Sequence, residues 1–317
     1  MAAKDDLQSS TPKNSKTADF SPIGHRVRTL TAEEVRKLNE DKEMVNEFKQ
    51  MKFEQDAKKH WDQFYLRNEA RFFKDRHWTI REFQELLNTS TMPGEKNVNA
   101  DLSAIGATYR PVLLEVGCGV GNMVLPLLEE DTRFQVLACD FSPRAVALLS
   151  TNPIFIAKGG RAFVCDLTTS TLLEEVRPDS VDVVTLIFML SAVHPNKMPI
   201  VLDNLFKVLQ PGGVVLFRDY GLYDQAQLRF KKGHKLQENF YVRQDGTRVY
   251  YFSEEAVRTL FENSGFLARE NSYICRRTIN RKEGIDVPRV FVQSKFVKPF
   301  LSVKKSTSIT QGENGIG

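Results

Sequence analysis

A glycine-rich turn directly after a short apolar run is the first feature of this sequence that could bind a ligand. The run 112–116 is followed by the turn GCGVG at residues 117–121, and with Glu115 it gives the pattern E-x-G-x-G-x-G. A dinucleotide-binding turn has the spacing G-x-G-x-x-G, which would require glycine at Asn122. The turn alone is a weak signal, because dinucleotide-binding folds also use one.

Two aspartates follow the next two predicted strands. Asp140 ends the run 134–139, and Asp166 ends the run 162–165. The carboxyl ends of parallel strands meet at one sheet edge, where Asp140 could accept both ribose hydroxyls and Asp166 could meet the adenine amino group of S-adenosyl-L-methionine. This cofactor has no phosphate and needs a close backbone turn for its amino-acid end. Either aspartate alone could cap a helix or lie in a solvated turn, but together they predict this cofactor.

Strands and helices alternate around these residues, which is typical of a parallel sheet with helices on both faces. We predict the α/β fold of class I S-adenosylmethionine-dependent methyltransferases, a Rossmann-like seven-stranded sheet with an N-terminal helical extension and an inserted β-hairpin. The predicted strands cover residues 112–116, 134–139, 162–165, 181–186, 213–217, 272–277 and 289–294.

The flanking segments divide the chain further. Thr31 with Glu34, and Thr79 with Glu82, have the spacing of capping boxes, so each pair predicts the start of a helix. The predicted organisation is a disordered leader at 1–30, a helical RNA-binding extension at 31–110 with a loop at 88–110, a methyltransferase domain at 111–299 with an RNA-binding insertion at about 221–252, and a disordered tail at 300–317.

Composition excludes several classes of protein. The 317 residues are 41% apolar and 26% charged, which is typical of a folded chain, and the longest apolar run, 183–193, is too short to span a membrane. The four cysteines form no C-x-x-C pair and the five histidines no H-x-x-x-H pair, so we predict neither a metal site nor a disulfide framework. The N-terminus reads neither as a secretory signal nor as a mitochondrial transit peptide, so we expect a cytoplasmic protein, with the nucleus as a second location.

Charge is distributed unevenly along the chain. The net charge is +4, yet residues 111–211 hold 7 Lys and Arg against 11 Asp and Glu, so the flanks carry the excess of positive charge. An acidic core between basic flanks favours a catalytic unit whose appendages hold a polyanion. An ordinary solvated surface is the alternative.

Six blocks of residues resemble one family. They look like the methyltransferase-like family that makes N3-methylcytidine in RNA, and most like its short branch, which acts on cytidine 32 in the anticodon loop of serine tRNAs. The resemblance runs from about Leu30 to Pro299, and its blocks are FFKDRHW (72–78), EVGCGVGN (115–122), ACDFSPRA (138–145), LSAVHP (190–195), FRDYGLYD (217–224) and VPRVF (287–291).

This resemblance implies a tRNA (cytidine-N3-)-methyltransferase, with tRNA as substrate and seryl-tRNA synthetase as a candidate partner. It also implies cofactor contacts at Trp61, Tyr65, Gly117, Asp140, Asp166, Leu167 and Ile187. From spacing alone, Trp61 and Tyr65 could equally be core anchors on one helical face.

The residues give independent reasons for a cytosine substrate. The fourth predicted strand leads into FMLS at 188–191 and not into the [N/D/S]-P-P-[Y/F] tetrapeptide that grips an exocyclic adenine amine. The N3 lone pair of cytosine lies in the ring plane, so its methylation requires alignment more than a strong base. A carboxylate would stabilise the positive charge that develops, and Asp219, at the end of the fifth strand, is the candidate catalytic residue. A carboxylate bound to Arg218 or to a backbone amide is the alternative.

A target at N3 must be unpaired or flipped out, because N3 lies on the Watson–Crick edge. Three basic and aromatic stretches could bind such RNA, at 71–83, 229–235 and 240–252, the last as a hairpin around 244–247. Amphipathic surface is the alternative for each stretch, and an ordinary surface arginine is the alternative for Arg289. The candidate RNA contacts are Phe72, Arg76, His77, Trp78, Tyr220 and Arg289.

Two other functions remain open. One is an enzyme of the same fold that acts on a protein or a small molecule, which would not need the basic aromatic flanks. The other is a cofactor-binding RNA scaffold without catalysis.

Overall fold

The computed structural model describes residues 28–69, 72–87, 109–130, 134–280 and 285–300. The predicted leader, the predicted loop at 88–110 and the predicted tail therefore lie almost entirely outside the described residues.

A seven-stranded sheet forms the centre of the described structure. Its strands are β1 (Val112–Val116), β2 (Gln135–Asp140), β3 (Arg161–Val164), β4 (Val181–Ile187), β5 (Leu209–Tyr220), β9 (Leu267–Asn280) and β10 (Ile285–Val297). They lie in the order β3-β2-β1-β4-β5-β10-β9, where β10 is antiparallel to both of its neighbours and the other pairs are parallel. This confirms the predicted fold, with strands that are mostly longer than their apolar runs.

The segment PGG at residues 211–213, where the fifth predicted strand begins, is part of β5. Val181 pairs with Leu209 and Val183 pairs with Val214, so β5 carries several extra residues opposite β4. Gly212, whose φ is +84°, donates its amide hydrogen to the Lys298 carbonyl at 2.8 Å. The segment is thus a bulge that keeps its hydrogen bonds, rather than a turn that precedes the strand.

Both faces of the sheet are covered, which explains why its central strands are apolar throughout. Leu113 and Leu114 belong to two different core clusters because successive side chains of a strand point to opposite faces. The helices α5 (Val124–Glu129), α6 (Pro143–Ser150) and α7 (Pro153–Ala157) cover one face, and α8 (Met198–Val208) and α10 (Glu254–Asn263) cover the other.

The described part of the N-terminal extension contains four α-helices: α1 (Ala32–Glu40), α2 (Glu47–Gln55), α3 (Ala57–Asn68) and α4 (Trp78–Glu82). The capping box at Thr31 and Glu34 is present. The one predicted at Thr79 is wrong, because Thr79 lies inside α4 and its hydroxyl donates to the Arg76 carbonyl at 2.8 Å.

A three-stranded sheet is inserted after β5 and the short helix α9 (Gln225–Leu228). Its strands are β6 (Lys235–Gln237), β7 (Phe240–Val242) and β8 (Arg248–Tyr250), and the β7–β8 pair is the hairpin predicted around residues 244–247. The Val45 amide donates to the Lys235 carbonyl at 2.8 Å, so the inserted sheet is joined to the segment before α2. The N-terminal extension and the inserted sheet therefore lie against each other beside the main sheet.

We expect Phe261→Ala to lower the free energy of unfolding by roughly 3–5 kcal/mol. The Phe261 ring is fully buried and stacks on Phe296 with ring centroids 4.0 Å apart, so its removal leaves a cavity. Denaturation in urea measures the change. Leu267→Ala, at a half-exposed position, is the matched control and should change stability by no more than about 0.5 kcal/mol; equal losses in the two variants would contradict this account of the core.

Candidate active site

The first of two adjoining cavities lies at the carboxyl ends of β1, β2 and β4, and we call it the cofactor cavity. Gly117 begins the turn at its floor with φ +68°, and a Cβ there would lie 2.2 Å from the Met189 side chain. Only glycine fits this close approach. The cavity contains the predicted cofactor residues Trp61, Tyr65, Gly117, Asp140, Asp166 and Leu167.

Asp140 connects the glycine turn to the end of β2. One carboxylate oxygen accepts the Gly119 amide at 2.9 Å, and the other accepts the Ser142 amide at 2.9 Å. Burial raises the pKa of Asp140 to about 6, while these backbone donors act in the opposite direction. Asp166, two residues beyond β3, is half-buried and accepts the Thr168 amide at 3.0 Å.

The second cavity adjoins the first, and we call it the base cavity, since the sequence predicts a nucleobase there. The predicted RNA contacts Phe72, Arg76, Tyr220 and Arg289 lie in its wall, and so does Ile187, which was predicted as a cofactor contact and does not line the cofactor cavity. The two cavities share part of their lining, which is formed by Trp61, Tyr65, Gly117, Phe188, Ala192 and Arg248. A ligand in one cavity therefore lies next to a ligand in the other.

Helix α3 supplies the side chains on the outer side of both cavities. Trp61 and Tyr65, four residues apart, also pack against Phe64, with ring centroids 5.2 and 5.4 Å from it. Tyr65 is buried and its hydroxyl stands 2.6 Å from the position of a Cβ on Gly119. Trp61 and Tyr65 therefore both pack in the core and line the cavities.

Comparison with known proteins gives a consistent result. The family model described as a methyltransferase domain matches residues 77–270. The tRNA N(3)-cytidine methyltransferase METTL6 of Homo sapiens is 53% identical over 282 residues, which is 89% of this chain and 94% of that protein. The tRNA N(3)-methylcytidine methyltransferase Mettl2 of Drosophila melanogaster is 44% identical, over 78% of this chain and 73% of that protein. The chain belongs to the tRNA N(3)-cytidine methyltransferase family.

A solved structure supports the fold of this methyltransferase. A chain from the complex between the Trm112 methyltransferase activator and a methyltransferase of Haloferax volcanii matches with a TM-score of 0.50 and 15% identity, over 77% of this chain and 98% of that chain. At this identity the likeness concerns the fold alone.

Glu115 is a site residue of this methyltransferase whose role the sequence did not reveal. It is buried in the base cavity wall beside the glycine turn, and its Oε2 has no hydrogen-bond partner among the described residues. Burial raises its pKa to about 8, against the opposing effect of Arg76. Its place as the first residue of the E-x-G-x-G-x-G pattern was the available signal.

Phe188 is a second residue that sequence reasoning missed. It follows β4 with φ +55°, an uncommon conformation for a bulky side chain. Its ring lies 5.0 Å from the Tyr220 ring, and the Arg76 guanidinium lies 4.9 Å from its centroid. Backbone strain of this kind is common at functional sites. No short sequence motif predicts it at Phe188.

Arg289 and Arg248 are both held by carboxylates. The Nε of Arg289 donates to the buried Asp224 at 2.8 Å, and its guanidinium lies 5.9 Å from the centre of the Tyr220 ring. Arg248 forms an ion pair with Glu54 of α2. These pairs fix the two guanidinium groups at the wall of the base cavity.

His77 and Trp78 do not lie in the base cavity, so the structure does not support them as contacts to a base there. His77 is exposed at the start of α4. Trp78 is half-buried and packs its ring on the Arg218 guanidinium, 4.0 Å away, which in turn pairs with Glu82. At Trp78 the aromatic side chain of this stretch therefore packs between α4 and β5.

Asp219 is fully buried and does not line the base cavity. Its two oxygens accept the amides of Ser191 and Tyr220, each at 2.9 Å, and burial raises its pKa to about 6. Asp219 is thus bound to backbone amides, which was the alternative to a catalytic role in the sequence analysis. The geometry favours a positioning role, through Ser191 and Tyr220, over the direct charge stabilisation expected from the sequence, which stays a prediction.

The described ranges contain no group of three or more His, Cys, Asp and Glu side chains that could hold a metal ion. In the same part of the chain, none of the helices is both long enough and apolar enough to cross a bilayer.

We expect the stability of the ligand-free protein to fall as pH rises from about 4.5 to 8 because of Glu115. Its pKa is higher in the folded protein than the ordinary 4.5, so ionisation favours the unfolded chain across this window, by at most about 1.4 kcal/mol per pH unit. Glu115→Gln removes the titration. Urea denaturation at several pH values should therefore give a shallower slope for the variant; parallel slopes would contradict the burial of a protonated carboxyl group.

Proposed function

We propose that the chain transfers the methyl group of S-adenosyl-L-methionine to N3 of a cytidine in tRNA. The observation that carries the proposal is the shared wall of the two cavities in a chain of this family. It allows a cofactor in one cavity and a flipped base in the other to meet beside Phe188 and Gly117. Such alignment is what the reaction chiefly requires.

The residues present fit the cofactor. A carboxylate has about four acceptor sites, so Asp140, which uses two for backbone amides, keeps acceptors for the ribose hydroxyls. Asp166 and Leu167 stand where the adenine would lie. At the other end, Gly117 leaves room for the amino-acid part, and the unpartnered Oε2 of Glu115 is an acceptor for its ammonium group.

When bound, the cofactor supplies an electrophilic methyl group on a sulfonium. Asp140 and Asp166 would hold the cofactor, which would supply this methyl group to the N3 lone pair and be left as a neutral thioether. Phe188 and Tyr220 offer ring faces to the cytosine, and the aromatic side chains of α3 exclude water. Asp219 holds the backbone of Ser191 and Tyr220 in place.

We further propose that the target is cytidine 32 of serine tRNAs, with seryl-tRNA synthetase as a partner. The support is the resemblance to the short branch of the family. The relatives' names specify the N(3)-cytidine of tRNA and no isoacceptor. The two alternatives, a protein or small-molecule methyltransferase and a non-catalytic scaffold, differ in what becomes methylated.

We expect the purified protein to form N3-methylcytidine in serine tRNA, and to label neither a cytidine-32-to-uridine transcript nor total cellular protein. Each substrate is incubated with labelled cofactor, with and without seryl-tRNA synthetase, and the nucleosides are identified by mass spectrometry. Asp140→Asn should abolish labelling, whereas Asp203→Asn, the same change at an exposed position outside both cavities, should leave it unchanged. Label in protein, or in no pool, would overturn the proposal; equal labelling of other tRNAs would overturn the serine preference.

We expect cofactor affinity to fall below about pH 6. The ionised Asp140 accepts the ribose hydroxyls, and its pKa of about 6 means that acid removes an acceptor, weakening binding by up to tenfold per pH unit. Calorimetry with S-adenosylhomocysteine between pH 5 and 8 measures this. Asp140→Asn should bind weakly at every pH, and a wild-type affinity that does not change over the range would remove Asp140 from the cofactor's contacts.

A further inference from the structure

Arg243 lies where three cavities meet. It lines the base cavity and two outer grooves, one on each side of the turn between β7 and β8. The helix groove lies between the inserted sheet and helices α2 and α3, and the α9 groove lies between the inserted sheet and α9. Asp245 is in all three linings as well.

Arg243 forms no ion pair with a carboxylate among the described residues, although it lies close enough to the buried Asp219 to act on the pKa of that group in the lowering direction. Its Nη1 donates to the Thr247 hydroxyl at 3.3 Å and to the Arg248 carbonyl at 3.2 Å. The nearby Asp245 turns one carboxylate oxygen, Oδ1, to Thr247, from which it accepts the amide at 3.0 Å and the hydroxyl at 2.7 Å. Arg243 therefore differs from Arg248 and Arg289, which are paired with acids.

The surroundings of Arg243 are strongly basic. Eight arginine and lysine side chains and three carboxylates line the base cavity and the two grooves, and one of the three, Glu115, has a raised pKa. The cations outside the base cavity are Lys49 and Arg67 in the helix groove and Arg229 and Lys231 in the α9 groove. Clustered cations at the mouth of a cavity attract a polyanionic backbone.

The helix groove also offers aromatic faces. Phe53 and His60 line it with ring centroids 5.9 Å apart. The Nδ1 of His60 is buried without a hydrogen-bond partner among the described residues. A Cβ on Gly246 would lie 2.7 Å from the His60 ring, so the backbone of the turn packs directly on it. The turn therefore covers part of the His60 ring, and a second planar ring in the groove would meet Phe53 and the part of His60 that stays exposed.

We propose that Arg243 binds the phosphodiester that joins the target nucleotide to a neighbour, and that the neighbour's base occupies the helix groove against Phe53 and His60. This rests on the proposed function, which places the target base in the base cavity. Because Arg243 lines both spaces, one guanidinium can bridge them through a phosphate, and arginine suits a phosphate by its paired donors. Stacking of a base on an aromatic side chain is sequence-tolerant.

The first test compares Arg243→Ala and Arg243→Lys with Arg258→Ala, which removes the same charge from an exposed position on α10. Binding of an anticodon stem–loop RNA is measured over a range of salt concentrations. Arg243→Ala should weaken binding about tenfold and reduce the salt slope by about 1, with Arg243→Lys intermediate and Arg258→Ala as wild type. Cofactor affinity, which reports the integrity of the fold, should stay unchanged in all three. An unchanged salt slope in Arg243→Ala would overturn the phosphate contact.

The second test removes the neighbouring base. Stem–loop RNAs carry an abasic site on the 5′ or the 3′ side of the target cytidine, and one of the two should bind roughly tenfold more weakly than the intact RNA. In Phe53→Leu that loss should largely disappear, because the stacking partner is already altered. The helix groove does not hold a base if neither abasic RNA binds more weakly than the intact RNA. The same follows if Phe53→Leu still binds the abasic RNA tenfold more weakly than the intact RNA. The same conclusion would follow if an acidic peptide competed with the RNA for the helix groove while both abasic RNAs bound as tightly as the intact RNA.

Different results overturn the role of Arg243 and the methylation of RNA. A wild-type protein that methylates the intact stem–loop, together with null results for Arg243 and the abasic sites, overturns this inference alone. A wild-type protein that methylates no RNA overturns the proposed function.

Discussion

A hydrogen bond from the Gly119 amide to the Asp140 carboxylate joins the glycine turn to the end of β2, and the geometry of both cavities depends on it. The same carboxylate accepts the Ser142 amide, where α6 begins. One buried acidic group thereby fixes a loop, a strand end and a helix start with respect to each other. Since it is nearly inaccessible to water, its hydrogen bonds are stronger than they would be on the surface.

The remaining walls are brought to this edge by contacts between distant parts of the chain. Glu54 of α2 pairs with Arg248 of the inserted sheet and with Lys197 before α8. Val45, Leu236, Phe240 and Val242 form a small apolar cluster between the N-terminal extension and the insertion. The extension and the insertion therefore act as one wall, although the paired residues Glu54 and Arg248 are 194 positions apart in the sequence.

The parts of the site that could be predicted from the sequence are those set by local patterns. The glycine turn, Asp140 and the alternation of strands and helices follow from the spacing of apolar runs and turn residues, because backbone geometry leaves few alternatives there. Glu115, Phe188 and Arg243 acquire their properties from burial, from backbone strain and from the lack of an acidic partner, which arise only in the folded chain. Trp78 shows the converse, since its pattern resembled an RNA contact and its ring packs on Arg218.

The antiparallel hairpin of β9 and β10 sets a strict limit on how chain length can change near the base cavity. Arg289 and Phe291 lie on one face of β10 with the guanidinium 5.4 Å from the ring centre, while Val290 between them belongs to the core on the other face. An insertion or deletion of a single residue inside this part of β10 would exchange the two faces, turning the arginine inward and the valine outward. A change of length at the hairpin's tip leaves that alternation intact.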